Sequence, residues 1–309
     1  MGLRFYIFIV GGFFLSHPIS AQSRFYSLAD DRSAPVIEWW DLSNPDTLGQ
    51  AVLTLHYEMR YVVDTSRHSM HQNQVVVQTD GNVAKYYVIR RHLQDRIMTQ
   101  VNKLLHGTAA VPGVGGQYVK TEEEEEMDRI AGTDDILNCE IWLCRDKGIL
   151  IERMHDYDQK NFAVEYEESI PEFKWVVETQ QREICGFLCF EAKTQFRGRS
   201  WTAWFCPDIP VTAGPWKFTG LPGAILAVTD SQAHYDWECV AVKGAEPIIY
   251  YDVPKKRLSK EQFVRYVKNI HANPLAVLGH GGEVVFYSRA SKKWLDETWE
   301  VPYNPIERE

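Results

Sequence analysis

The chain has 309 residues, 45% hydrophobic and 13% aromatic, with a formal charge of −9. That apolar content fills a packed core and excludes a disordered chain. The acidic balance speaks against nucleic acid or anionic lipid as the main partner, because both require basic patches.

The first residues carry their own message. Arg4, an apolar run over 5–15 and then Ser20-Ala21 have the charge, length and small-residue pattern of a secretory signal. Cleavage is expected next to Ala21, giving a signal peptide over 1–21. An apolar run of this length is too short to cross a bilayer as a helix, which takes about 20 residues. No later stretch is long enough either. The mature chain is therefore expected to be exported, without a membrane span, to the periplasm, the outer-membrane surface or the medium. Residues 22–309 read as a single β domain. Its polar N-terminal extension covers 22–49 around Trp39-Trp40, and an acidic mobile loop covers 107–128 with the run Glu122 to Glu126. Like charges repel, so that run is expected to be solvated rather than folded.

From residue 52 onward, strand signals dominate. Residues 52–63 alternate in part, and 74–78 and 83–89 flank Asp80-Gly81, a hairpin dipeptide. Further strands are expected over 136–143, 149–154, 162–166, 175–179, 184–196, 200–205, 224–228, 234–242, 248–253 and 283–287. Spacing of about ten residues predicts a mainly β fold. The expected form is a single large twisted antiparallel sheet curving toward a half-barrel, with one or two packed helices. In outline this resembles the open barrels that carry lipoproteins between envelope membranes, an analogy of shape that does not establish function. The helix is expected just after Leu258, where Ser259 and Gln262 form a capping box, and it ends at Asn273-Pro274. A weaker helical pattern covers 93–105.

Six cysteines in an exported chain suggest disulfides. If Cys185 and Cys189 share a strand they lie about 13 Å apart and cannot pair.

Residues 199–230 carry the densest pattern. Ser200 to Phe205 places Trp201, Ala203 and Phe205 on one face and Trp204 on the other, and Cys206-Pro207 ends the strand. Gly214-Pro215 and Leu221-Pro222-Gly223 read as turns, the second as type II with positive φ at Gly223. The core Gly220-Leu221-Pro222-Gly223-Ala224-Ile225, with Cys189-Phe190-Glu191-Ala192-Lys193, Gly198-Arg199 and Ala203-Trp204-Phe205 upstream, resembles the signature of the GLPGLI family, secreted proteins of Bacteroidetes. Ala224 stands where that family has Leu. The resemblance implies export and a fold of this kind, and it carries no activity with it. A structural corner is the favoured reading of Gly220 to Gly223; the alternative is a backbone anion cradle.

Candidate chemistry is sparse. No G-x-S-x-G, H-E-x-x-H or C-x-x-C is present. Cys189 with His234 is a conceivable nucleophile and base, and Glu165, Glu167 and Glu168 are the densest carboxylates outside the acidic run. His68 and His71, with His56 and Met59, offer soft ligands of the kind copper takes, but in no established metal spacing. No metal or cofactor is expected. Trp201, Trp204, Phe205, Trp216 and Phe218 are the candidate ligand-binding residues, against the reading that they fill the core. The leading expectation is non-enzymatic binding of an apolar or peptide ligand or an envelope partner. The alternatives are an enzyme with an unrecognised site or a weak copper- or zinc-binding envelope protein.

Overall fold

A computed structural model describes residues 8–10, 46–66, 68–89, 139–156, 162–250, 255–272 and 303–308, with short strand pieces at 283–285, 287–288 and 293–294. The strands are β1 (Phe8–Val10), β2 (Asp46–Gln50), β3 (Leu53–Asp64), β4 (Ser69–Thr79), β5 (Val83–Val88) and β6 (Cys139–Cys144). They continue with β7 (Ile149–Asp156), β8 (Phe162–Ser169), β9 (Val176–Ile184), β10 (Phe187–Phe196), β11 (Arg199–Cys206) and β12 (Ala224–Asp230). Last come β13 (Tyr235–Lys243), β14 (Pro247–Tyr250), β15 (Lys255–Arg257), helix α1 (Lys260–Ala272), β16 (Glu283–Val285), β17 (Tyr287–Ser288) and β18 (Lys293–Trp294). The fold is mainly β, as the spacing implied.

Twelve strands form one open sheet in the order β15-β8-β7-β6-β5-β4-β3-β13-β12-β11-β10-β9. All neighbours are antiparallel except β15, which lies parallel to β8, so the sheet is mixed rather than purely antiparallel. β2 and β14, β1 and β16, and β17 and β18 make separate two-stranded pairs. The central join is between strands far apart in sequence: Cys239 of β13 faces Tyr57 of β3. Tyr57 is fully buried, and its hydroxyl donates to the carbonyl of Ile225 on β12 (2.6 Å).

The sheet curls strongly at its β9 end. Four strand spacings separate β9 from β13, about 19 Å in a flat sheet. Yet Arg182 of β9 lies 3.7 Å from Glu238 of β13, and the Cys185 thiol donates to the Cys239 carbonyl at 3.0 Å. Register shifts at Phe190/Ala192, Trp204/Phe205 and Cys239/Ala241 supply the bend, since bulges increase local twist and bend the strand.

Local chemistry accounts for the connections. At Asp80 the side-chain Oδ1 accepts from the backbone N–H groups of Asn82 and Val83 (2.8 and 2.7 Å), closing the β4–β5 loop. One expected strand divides in two. Residues 184–196 are interrupted at Cys185-Gly186, whose φ values of 52° and 80° make the two-residue turn that matches the twist of paired strands. Cys185 and Cys189 therefore do not share a strand. The capping box forms as read: Ser259 N–H donates to Gln262 Oε1 (2.9 Å), and Gln262 N–H to Ser259 Oγ (3.3 Å). α1 then packs Phe263 and Ile270 on Met154, Val164 and Tyr166. The weaker helical pattern over 93–105 and the acidic loop lie outside the described residues.

Candidate functional site

Among the described residues, a buried ion cluster around Lys217 and an open sheet edge are the two candidates for a site. The cluster begins with the turn Pro215 to Phe218, closed by Phe218 N–H donating to the Pro215 carbonyl (3.1 Å) and bent by Trp216 at φ 51°. This geometry sends Trp216 and Phe218 into the aromatic core and buries Lys217 between them and β8. Lys217 Nζ donates to the Tyr166 hydroxyl (2.6 Å) and pairs with Glu152 (2.6 Å), Glu168 (3.5 Å) and Glu307. Arg197 reaches Glu168 (2.6 Å) and Glu307, and Lys260 at the start of α1 lies 3.0 Å from both. Three cations thus meet three carboxylates.

The balance decides what this cluster can do. Burial works to lower the Lys217 pKa, but Glu152, Glu307 and Glu168 outweigh it and raise it above the ordinary value. For Glu168 burial pushes upward, and Arg197, Lys217 and Lys260 bring the carboxyl down to about 2. Burial and the three carboxylates push the Tyr166 phenol well up. A lysine held charged is no nucleophile, and a phenol held protonated is no base at neutral pH. The cluster is a clasp. It holds the C-terminal segment through Glu307, beside Arg199, which ion-pairs with Asp230 (2.7 Å) and donates to the carbonyls of Pro305 (2.7 Å) and Ile306 (3.0 Å). Sequence reading missed Lys217 entirely. Its one signal was a lysine between two aromatics inside an apolar segment.

The three carboxylates singled out from sequence are divided between two ion clusters. Glu165 pairs with Arg153 and Arg257 (2.9 Å each), Glu167 with Arg257 (3.0 Å), and Glu168 joins Lys217. Cys189 and His234 sit at opposite ends of the β11–β12 pair. His234 lies against Asp230, while Cys189 is buried with its thiol pushed up to about 12, chiefly by burial. That arrangement makes no nucleophile–base couple. His56 is opposite Val76 and His71 opposite Tyr61, so register keeps them apart. Among the described residues no three acidic, histidine or cysteine side chains are placed to hold a metal ion.

The aromatic candidates also separate. Trp201, Phe205, Trp216 and Phe218 are buried, and Trp201, Trp216 and Phe218 pack on one another with Trp237 at centroid distances of 4.9–6.3 Å. Their faces are taken by core neighbours. Trp204 is on the other face, half-buried, with the Arg182 guanidinium 4.7 Å from its ring centre.

The Gly220 to Gly223 segment is a tight corner, though not a type II turn. Gly223 N–H bonds to the Leu221 carbonyl (2.9 Å), a three-residue turn centred on Pro222. Gly223 has φ 146°, and a Cβ placed there would lie 2.1 Å from the carbonyl oxygen of Cys206. Thr219 alongside is held by Trp175 Nε1 donating to its carbonyl (2.8 Å) and by Arg145 donating to its hydroxyl (3.1 Å).

The open edge is β9. Among the described residues it pairs only with β10, and Val176 and Val177, adjacent residues that an extended strand points to opposite faces, are 60% and 53% exposed. Leu188 on β10 is 48% exposed nearby.

A family described as "Protein of unknown function (Porph_ging)" matches residues 191–227. That stretch contains the clamped corner, Arg197, Arg199 and Lys217. No curated protein matches the chain. Among solved structures, PNGF-II in space group P21 superposes with a TM-score of 0.46 at 11% identity, over 70% of this chain and 33% of that one. This chain thus spans about a third of that protein's length. An uncharacterized conserved protein from Thermus thermophilus gives a TM-score of 0.30 at 8% identity, over 71% of this chain and 93% of the other. A putative outer membrane lipoprotein-sorting protein domain from Vibrio parahaemolyticus gives 0.19 at 9% identity, over 71% and 91%. No helix among the described residues is long and apolar enough to cross a membrane.

Proposed function

We propose that this chain is an exported, GLPGLI-type envelope protein that binds an extended peptide segment of an envelope partner as an added strand on β9. The observation that carries the reading is the open edge itself. Unpaired edges are normally blunted by charged side chains, above all Lys, by Pro, by bulges or by short length. β9 has nine residues, Val-Val-Glu-Thr-Gln-Gln-Arg-Glu-Ile, with neither Lys nor Pro. Its charges Glu178, Arg182 and Glu183 and the register shift against β10 leave Val176-Val177 as the uncharged end open to pairing. An incoming strand would take main-chain hydrogen bonds from β9 for affinity and side-chain contacts with Val176 and Val177 for selectivity. The saturated charges around Lys217 support a binding role over an enzymatic one.

Export and the one-domain organisation over 22–309 belong to the same proposal, supported by the Arg4 and 5–15 pattern at the chain start. Linear peptides selected from a display library against the purified protein test the binding claim. Selected peptides should lose at least about tenfold in affinity for a Val176→Lys, Val177→Lys double variant, whose melting temperature stays within about 2 °C of wild type. Unchanged peptide affinity in that variant, or a library that yields no binder, contradicts the proposal.

A further inference from the structure

Four of the six cysteines gather at the curled end of the sheet. Cys185 is exposed in the β9–β10 turn, and its Sγ reaches the Cys239 carbonyl at 3.0 Å across the curl. The Cys239 thiol in turn donates to the Ala241 carbonyl (3.4 Å). Burial first, and then the neighbouring Cys185, push the Cys239 thiol up. The second couple follows from register. β10 and β11 pair Phe190 with Phe205; carrying that register one step past the end of the ladder sets Cys189 opposite Cys206, which acts electrostatically on the Cys189 thiol. Directly opposed residues of an antiparallel pair have Cβ atoms about 4.5–5.5 Å apart, near the separation a disulfide spans. Both residues are fully buried. The remaining two cysteines have no such neighbour in register: Cys139 faces Met154, and Cys144 faces Ile149 and Val83.

We propose that these four cysteines pair as two cystines, Cys185 with Cys239 and Cys189 with Cys206, while Cys139 and Cys144 remain thiols. The four sulfurs do not converge on a point, as a metal-thiolate site would require. Each bond forms by exchange with an external disulfide donor. One cysteine thiolate attacks the donor's S–S bond and releases one donor thiolate. The second cysteine then gives up its proton, attacks the mixed disulfide and releases the other donor sulfur. Two electrons and two protons pass from the cysteine pair to the donor, which leaves as two thiols. Cys185, at the surface, takes the donor first for its pair. Cys189 and Cys206 must pair before the hairpin closes over them.

The consequence is mechanical. Cys185–Cys239 ties the tip of the hairpin whose outer strand is β9 to the centre of the sheet, so it holds the proposed binding edge in place. The pairing in the cell rests on the export reading, since cytosolic thiols stay reduced. The test is refolding of the full chain in a glutathione redox buffer, followed by non-reducing peptide mapping and thiol counting. The expected result is two linked peptide pairs, 185–239 and 189–206, with two alkylatable thiols of six. Reduction should then lower the melting temperature by about 5–10 °C. A Cys185→Ser variant should keep the 189–206 link. Any other pairing, or six thiols after refolding, overturns the proposal. Correct pairs in vitro alongside six thiols in protein taken from cells contradict export and leave the pairing standing.

Discussion

Between residues 209 and 225 the backbone is tied to itself at six points: Val211 to Ile209, Ala213 to Val211, Phe218 to Pro215, Gly223 to Leu221, Ala224 to Ile209 and Ile225 to Ala213. Among the described residues, the strand over 176–184 pairs on one side only, and its side chains stand mostly in solvent. The first region is where the family match falls; the second lies outside it. A recognisable motif here marks the corner on which the sheet is built. The surface free to meet another molecule has no motif, because an edge strand needs only extended backbone and few blunting residues. On the proposed function, recognition and contact are therefore separate properties of this chain.

Substitutions can break that comparison. The largest effect is expected at Gly223. A valine there combines a left-handed backbone, which resists a β-branched residue, with a Cβ inside the contact distance of the Cys206 carbonyl. Strain and overpacking together should cost about 4 kcal/mol, read as a collapse of the thermal midpoint or of soluble yield. A midpoint like wild type would mean the corner is not structural.

Lys217→Met comes next, at about 3 kcal/mol, because Glu152, Glu168 and Glu307 would stay buried with one cation fewer. Its pH signature separates charge from packing. Glu168 and Glu307 are depressed in the folded chain, so their stabilisation is fully present above the ordinary carboxylate value of 4.5. It is lost as pH falls toward 2. Wild type should lose stability steeply across that window, and Lys217→Met should lose less. Parallel acid melts of the two proteins decide it; curves of equal slope would show that Lys217 acts by packing alone.

Pro222→Ala should cost only about 0.4–1 kcal/mol, because alanine reaches the same φ and mainly frees the unfolded chain. At the other region, Val177→Lys alone should change stability by less than about 0.5 kcal/mol. A loss well beyond that would mean that β9 is packed against something and is not an open edge.

Much of the architecture was legible before any coordinates. Alternation over 52–63, the Asp80-Gly81 turn and the Ser259/Gln262 box each act locally, and each formed where read. The Cys185-Gly186 turn was not legible, since it lacks the Asn or Asp that usually marks such a hairpin and lies inside the apolar run Ile184 to Phe190. Nor could local pattern reveal that β3 sits between β4 and β13, a neighbour about 180 positions away. The site was harder still. Lys217 gains its meaning only from Glu152, Glu168 and Glu307, carried by β7, β8 and the C-terminal segment. Of the five aromatic candidates, Trp201, Trp216 and Phe218 pack on one another while Phe205 packs on Phe190 and Trp204 stands on the other face, a division that composition could not show.

Hydrogen exchange on the wild-type chain, with and without a library-selected linear peptide at saturation, tests the separation of corner from edge most directly. Amides of residues 176–184 should exchange more slowly with peptide bound, while those of 211–225 stay slow and unchanged in both states. New protection at 219–223 with β9 unaffected would contradict the account, because the signature corner would then be the contact.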